Sequence, residues 1–299
     1  MTLFAILAAL LWDLVHPLRD PSPVQRLLER YTDWLLEHLN AGATRYGVVA
    51  WAAAAVAAAA LAALVGWLLG ELWGVLAWGW SVVVLYYCLG MRQFALAVEA
   101  VVHALRQGDL TAARNHLMSW RPGTAQAMDE EELARSGIEH VLLLGLTRLF
   151  GVLFWFALLG VFGAVLYRLS GLCRERWAAE PSFCAFPRRF AFYLDWLPAR
   201  VAAFSFAIVG DFEGALACWR RQAGTWGEPN EGVVLAAGAG ALGVRLGGAI
   251  TLPAGQLLRP ELGCGAAPTA DDLEGAMHLV WRVVVLWLGV LGLLWIGGL

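Results

Sequence analysis

The chain has 299 residues, 60% of them hydrophobic and 15% charged, with a mean hydropathy of +0.63 and a formal net charge of −3. Soluble domains carry about 25% charged residues, so the composition points to an integral membrane protein; with no basic surplus, nucleic acid is excluded as a partner. All 21 basic residues are arginine, which excludes Schiff-base chemistry and a P-loop lysine.

Residues 2–15 are apolar apart from Thr2 and Asp13. They read as a retained, short first membrane helix, because neither a basic leader nor a small-x-small cleavage site accompanies them. Pro17, Pro21 and Pro23 end it. From Val24 to Leu39 the apolar residues Val24, Leu27, Leu28, Tyr31, Leu35 and Leu39 recur at helical spacing, which predicts an amphipathic helix on the membrane surface or against another helix. Residues 47–69 are uncharged and long enough to span, and 72–89 return, giving a hairpin with Trp67, Trp73, Trp78, Trp80, Tyr86 and Tyr87 as interfacial anchors. Phe94 to His116 reads as two short amphipathic helices joined at Gln107-Gly108-Asp109. A polar loop follows, with Asp129–Glu132 as a solvated acidic run. Residues 149–167 form another span, 174–189 an exposed linker with Pro181 and Pro187, and 190–218 a mixed helix interrupted at Pro198 and Gly210. The Gly-rich stretch 229–248 reads as a loop, and 280–296 is the last span.

The expectation is an all-α, polytopic membrane protein of four to five membrane helices plus amphipathic or re-entrant ones, folded as a single domain over 1–299. Counting arginines places loops 16–46, 91–148 and 169–278 on one side, which a single crossing at 149–167 does not satisfy. Either that segment re-enters, or a second crossing accompanies it, or the last long loop ignores the charge rule.

The five cysteines Cys88, Cys173, Cys184, Cys218 and Cys264 show no CxxC pair and read as scattered structural thiols. Three places carry polar chemistry. Asp195-Trp196-Leu197-Pro198-Ala199-Arg200 sets an acid and an arginine around a proline in an apolar helix, where ionisable groups are costly unless paired or facing water. Either Asp195 and Arg200 pair at a kink, or both face a polar cavity. Pro229-Asn230-x-Gly232, running on through Gly240 and Gly243 to Arg245, Gly247 and Gly248, is small-sided. Close helix packing accounts for its Gly and Ala; a loop whose amides and guanidinium meet an anionic or phosphorylated ligand accounts for Asn230 and Arg245 as well. In that reading a Cβ at Gly243 fills space the ligand needs. Asp13, His16 and Asp20 form a loose possible metal or phosphate set.

Together these strings resemble the CobD/CbiB family of cobalamin biosynthesis and its relative AmpE. The resemblance rests on Asp195–Arg200 and Pro229–Gly248, with looser matches at Asp13, Asp20-Pro21, Pro23-Val24 and Asp271-Asp272. It implies a bacterial inner-membrane protein that makes the amide bond between adenosylcobyric acid, a corrinoid, and an aminoalcohol or its phosphate, using ATP and Mg²⁺. It places Asp195 and Arg200 as catalytic residues, Asn230, Gly232, Gly240, Gly243, Arg245, Gly247 and Gly248 as ligand-binding, and Glu139 with Asp13, His16 and Asp20 as metal or phosphate ligands. The lipid bilayer is the expected surrounding, and a homo-oligomer is compatible with the pattern. Two family strings depart: EN-x-(S/T)DG is represented by Glu139-His140-Val141 and its followers, and NTLDS by Tyr167-Arg168-Leu169-Ser170-Gly171. With those carboxylates missing, weak or absent Mg–ATP hydrolysis is expected, and an AmpE-like binding or signalling protein without catalysis is the alternative.

Overall fold

The computed structural model describes residues 2–16, 22–120, 125–252 and 255–297. Its helices are α1 (Thr2–Val15), α2 (Pro23–Leu39), α3 (Thr44–Trp51), α4 (Ala57–Leu72), α5 (Gly74–Cys88), α6 (Met91–Arg106), α7 (Leu110–Trp120), α8 (Glu130–Leu144), α9 (Gly151–Arg176), α10 (Pro181–Val209), α11 (Phe212–Gln222), α12 (Pro229–Leu242) and α13 (Ala270–Ile296). Single π turns, Ala52–Val56 and Gly145–Phe150, run α3 into α4 and α8 into α9. Four helical stretches are long and apolar enough to cross a membrane: Thr44–Leu72, Glu130–Arg176, Pro181–Val209 and Ala270–Ile296; α1 and α5 are apolar but shorter. The protein is therefore an all-α polytopic membrane protein. Its strands are minimal. β1 (Leu246–Gly247) pairs antiparallel with β4 (Glu261–Leu262), and β2 (Ile250–Leu252) with β3 (Gly255–Leu257). Strands of two or three residues are too short to show alternation in sequence.

The chain groups into two compact units, Met1–Gln93 with Thr147–Pro198, and Phe94–Leu146 with Ala199–Leu299. The core of the first unit buries Trp51, Leu166, Leu169, Trp177 and Phe183. Its two buried indoles are satisfied: Trp51 donates to the Ser170 hydroxyl at 3.1 Å, and Trp177 to the Thr32 carbonyl at 3.0 Å. Neither could be buried cheaply without such a partner.

Within α9 the chain breaks at Gly160, whose φ of 61° and ψ of −145° suit glycine alone. A Cβ on Gly151 would lie 2.1 Å from the Tyr167 ring, and one on Gly163 would lie 2.2 Å from the Trp155 carbonyl. The residues on either side of Gly160 thus lie against each other, so the 149–167 segment folds back on itself. A turn of this kind is common to two alternatives of the sequence reading, a re-entrant segment and a second, paired crossing. The expected linker at 174–189 is corrected as well: α9 runs to Arg176, and α10 begins at Pro181 as a further helix of spanning length.

Helix α10 contains Pro187 and Pro198, which sequence reasoning takes as breaks. A proline removes the donor to the carbonyl four residues back, and a membrane helix tolerates it when something else meets that oxygen. For Pro198 the orphaned carbonyl is that of Leu194, and the Trp155 indole N–H donates to it at 3.1 Å. For Pro187 it is that of Phe183, which faces Gly47 so closely that a Cβ there would sit 2.0 Å from the oxygen. Pro181 stands at the helix start, where no donor is needed.

In the second unit the Gly-rich stretch is not a loop. Pro229–Leu242 is a buried helix, closed by Gly243 in the left-handed conformation at φ 70°. Its glycines give room to the protein itself. A Cβ on Gly240 would lie 2.3 Å from the Gly214 carbonyl of α11, and one on Gly238 would lie 2.5 Å from the Leu142 side chain of α8. Small-residue packing is the reason for the composition here. The acidic run is likewise a helix start: Asp129 and Glu132 form a reciprocal capping box on α8.

Candidate functional site

Asp195 belongs to the first unit. Its carboxylate is buried and accepts from the Tyr167 hydroxyl at 2.6 Å and from Arg174 Nη1 at 2.9 Å. Both oxygens are engaged, so the charge is compensated in the way a buried carboxylate requires. Tyr167 and Arg174 project from one face of α9, two helical turns apart. The cluster lines a small recess with Thr147, Arg168 and Glu175. Sequence reasoning named Asp195 but missed both partners. A signal was present, since Tyr167 heads the string that stands in place of the family's NTLDS.

Asp13 is buried on α1, while His16 is exposed and its carbonyl accepts from the Tyr86 hydroxyl at 2.7 Å. Asp20 lies outside the described residues. Burial thus separates the two described members of the expected early set.

The second unit joins two strings that the sequence singled out separately. Arg200 Nη1 donates to Asn230 Oδ1 at 3.1 Å. Asn230 is buried in the first turn of α12, behind Pro229 at the helix start, and the positive end of a helix favours an anion there. Gly232 in the same turn meets protein: its Cβ would lie 2.3 Å from the Ala223 carbonyl. Gly243 is different, since nothing lies within 4 Å of where its Cβ would be. Its left-handed backbone by itself favours glycine there, whatever occupies the open space. Arg245 is exposed. Its backbone N–H donates to the Ala266 carbonyl at 2.9 Å, and its guanidinium bonds to no described residue.

Glu139, expected as a metal or phosphate ligand, is instead the anchor of the 246–262 segment. Buried on α8, it accepts from the Gly247 amide at 2.8 Å, and from Arg259 at 2.7 Å and 3.0 Å through its two oxygens. Arg259 also donates to the carbonyls of Gly247 and Gly248, each at 3.3 Å, and lies 5.5 Å above the Trp226 ring. One face of α8 carries the rest of the clamp. Glu132 accepts from the Thr251 amide and hydroxyl, both at 2.9 Å, and Arg135 donates to the Ala249 carbonyl at 2.6 Å. Gly247 and Gly248 both hold positive φ, and a Cβ on Gly247 would lie 2.0 Å from the Pro260 carbonyl. Neither Glu132 nor Arg259 was anticipated.

A resident Mg²⁺ requires several oxygen ligands at one point. Both oxygens of Asp195 and of Glu139 are committed to protein donors, and among the described residues no group of three or more His, Cys, Asp or Glu is placed to hold a metal. Among the described residues, then, no set of carboxylates stands together to hold a cation.

The family model described as CobD/Cbib protein matches residues 6–280. The cobalamin biosynthesis protein CobD of Stutzerimonas stutzeri (strain A1501) is 39% identical over 297 residues, 96% of each chain. Its namesake in Chromobacterium violaceum is 40% identical over 240 residues, covering 79% of this chain and 77% of that one. The Mycobacterium tuberculosis protein of the same name (strain CDC 1551 / Oshkosh) is 31% identical over 248 residues, covering 80% and 77%. No solved structure matches the chain. The AmpE alternative has no support among these relatives. With a match from residue 6 to residue 280 and the Asp195–Arg200 and Pro229–Gly248 strings inside it, the chain belongs to the CobD/Cbib family of cobalamin biosynthesis.

Proposed function

We propose that this protein acts in the bacterial inner membrane at the amide-forming step of cobalamin biosynthesis, where adenosylcobyric acid meets an aminoalcohol or its phosphate. The second unit holds the anionic reactant. The observation that carries this reading is the bond between Arg200 and Asn230, because it brings the two most specific strings of the chain to one helix start. Arg200 contributes charge, Asn230 a fixed amide, and α12 the positive end of its dipole. Arg245 follows the opposite end of α12, roughly 18 Å of helix rise from Asn230, and lies outside this site. Asp195 is held still by Tyr167 and Arg174 on the first unit, and its role is to keep α9 and α10 in register. Among the described residues no carboxylate set holds a cation for ATP, so no step is assigned to either.

The test is complementation of a bacterial strain lacking its own cobinamide-phosphate synthase. The wild-type chain restores growth without added cobinamide, and Arg200→Met, at matched membrane expression, does not. Failure of the wild-type chain, or full rescue by Arg200→Met, contradicts the reading.

A further inference from the structure

Cys218 and Cys264 take no part in the site described above. Cys218 is buried on α11, Cys264 is exposed just beyond β4, and their sulfurs lie 3.3 Å apart. Both belong to the second unit. The approach is fixed by backbone as well as by side-chain rotamers. Gln222, one turn along α11 from Cys218, donates through Nε2 to the Gly263 carbonyl at 3.1 Å and accepts from the Gly263 amide at 2.6 Å. This amide pair pins the residue before Cys264 to the helix that carries Cys218. The turn in question leads directly to Ala266, which pairs with Val244 and accepts from the Arg245 amide.

We propose that Cys218 and Cys264 form a reversible disulfide that ties α11 to the 263–266 turn and so stiffens the segment carrying Arg245. A peroxide serves as oxidant. The exposed Cys264 thiolate attacks the peroxide; the S–O bond forms, the O–O bond breaks and hydroxide leaves, giving a sulfenic acid. The Cys218 sulfur then attacks the Cys264 sulfur. The S–S bond forms, the S–O bond breaks, and the Cys218 proton departs with the hydroxyl as water. Two thiols and one peroxide become one disulfide and two waters, and a dithiol reductant reverses the link by exchange. Burial first, and then the neighbouring Cys264, push the Cys218 thiol up to about 12. Cys218 is therefore not the sulfur oxidised first, and its 3.3 Å approach is what brings it to the Cys264 sulfur. The proposal stands apart from the chain's reaction.

The experiment treats the purified full-length protein in detergent with hydrogen peroxide, blocks free thiols with N-ethylmaleimide, and maps peptides by mass spectrometry without reductant. The expected result is a Cys218–Cys264 linked peptide that dithiothreitol removes. Dimedone should label Cys264 in the peroxide-treated Cys218→Ser variant but not in the wild type. Should that variant fail to fold, Cys264→Ser, which alters an exposed side chain, serves instead: the linked peptide must vanish, and Cys218 must become alkylated only on denaturation. Recovery of Cys218 and Cys264 as separately alkylated peptides overturns the proposal. So does dimedone labelling of Cys264 in the wild type, or a link from Cys264 to another chain.

Discussion

The Trp155 indole donates to the Leu194 carbonyl at 3.1 Å, and this is the oxygen that Pro198 deprives of its helix donor. A residue just before the Gly160 turn thereby licenses a proline inside α10. Trp155→Phe should leave that carbonyl unsatisfied and cost about 1–3 kcal/mol. Adding Pro198→Ala should recover part of the loss, because alanine restores the N–H that the helix lacks. Thermal unfolding of the wild type, both single variants and the double variant in one detergent checks this. Simple additivity of the two changes would remove the link between indole and proline.

Arg259 and Glu139 should behave as a buried ion pair. Arg259→Met leaves a buried carboxylate without its cation, a loss of about 3–5 kcal/mol. Glu139→Gln keeps an acceptor for the Gly247 amide, so the double variant should be more stable than Arg259→Met alone. A double-mutant cycle on melting temperature reads the coupling directly.

Two glycines of one string should fail for different reasons. Gly240→Ala drives a Cβ to 2.3 Å from the Gly214 carbonyl, an overpacking cost of about 1–3 kcal/mol. Gly243→Ala meets open space but sits at φ 70°, a cost of about 1–2 kcal/mol. Gly243→Asn should be milder, since asparagine tolerates the left-handed region. The ordering of the melting temperatures, with Gly243→Asn nearest the wild type, is the measurement.

Much of the architecture was legible in composition and run length. The uncharged run at 47–69, its return at 72–89 and the apolar C-terminal helix are local features, and helices α3 to α5 and α13 lie over them. What escaped the sequence depends on partners distant along the chain. Helix α10 looked broken because the donor to Leu194 comes from Trp155. The Gly-rich stretch looked like a loop because the backbone it packs on, at Gly214, belongs to another helix. Of the candidate site, Asp195, Arg200 and Asn230 stand in the motif strings that the sequence singles out. Tyr167, Arg174 and Arg259 were missed because only the fold brings them to the carboxylates they hold, Arg259 across 120 positions to Glu139.

The most direct test of the anion-holding claim is the affinity of the purified wild-type protein and its Arg200→Lys variant for the aminoalcohol phosphate, with melting temperature measured alongside. Arg200 is half-buried and donates to Asn230; lysine keeps the charge and a donor there, so the melting temperature should change little. Lysine cannot reproduce two parallel bonds to phosphate, and one charge-assisted hydrogen bond is worth about 1.5–3 kcal/mol. The account predicts wild-type binding that weakens by roughly tenfold or more in the variant, by that conversion. Equal affinity in the two proteins, or no binding by the wild type, would contradict it.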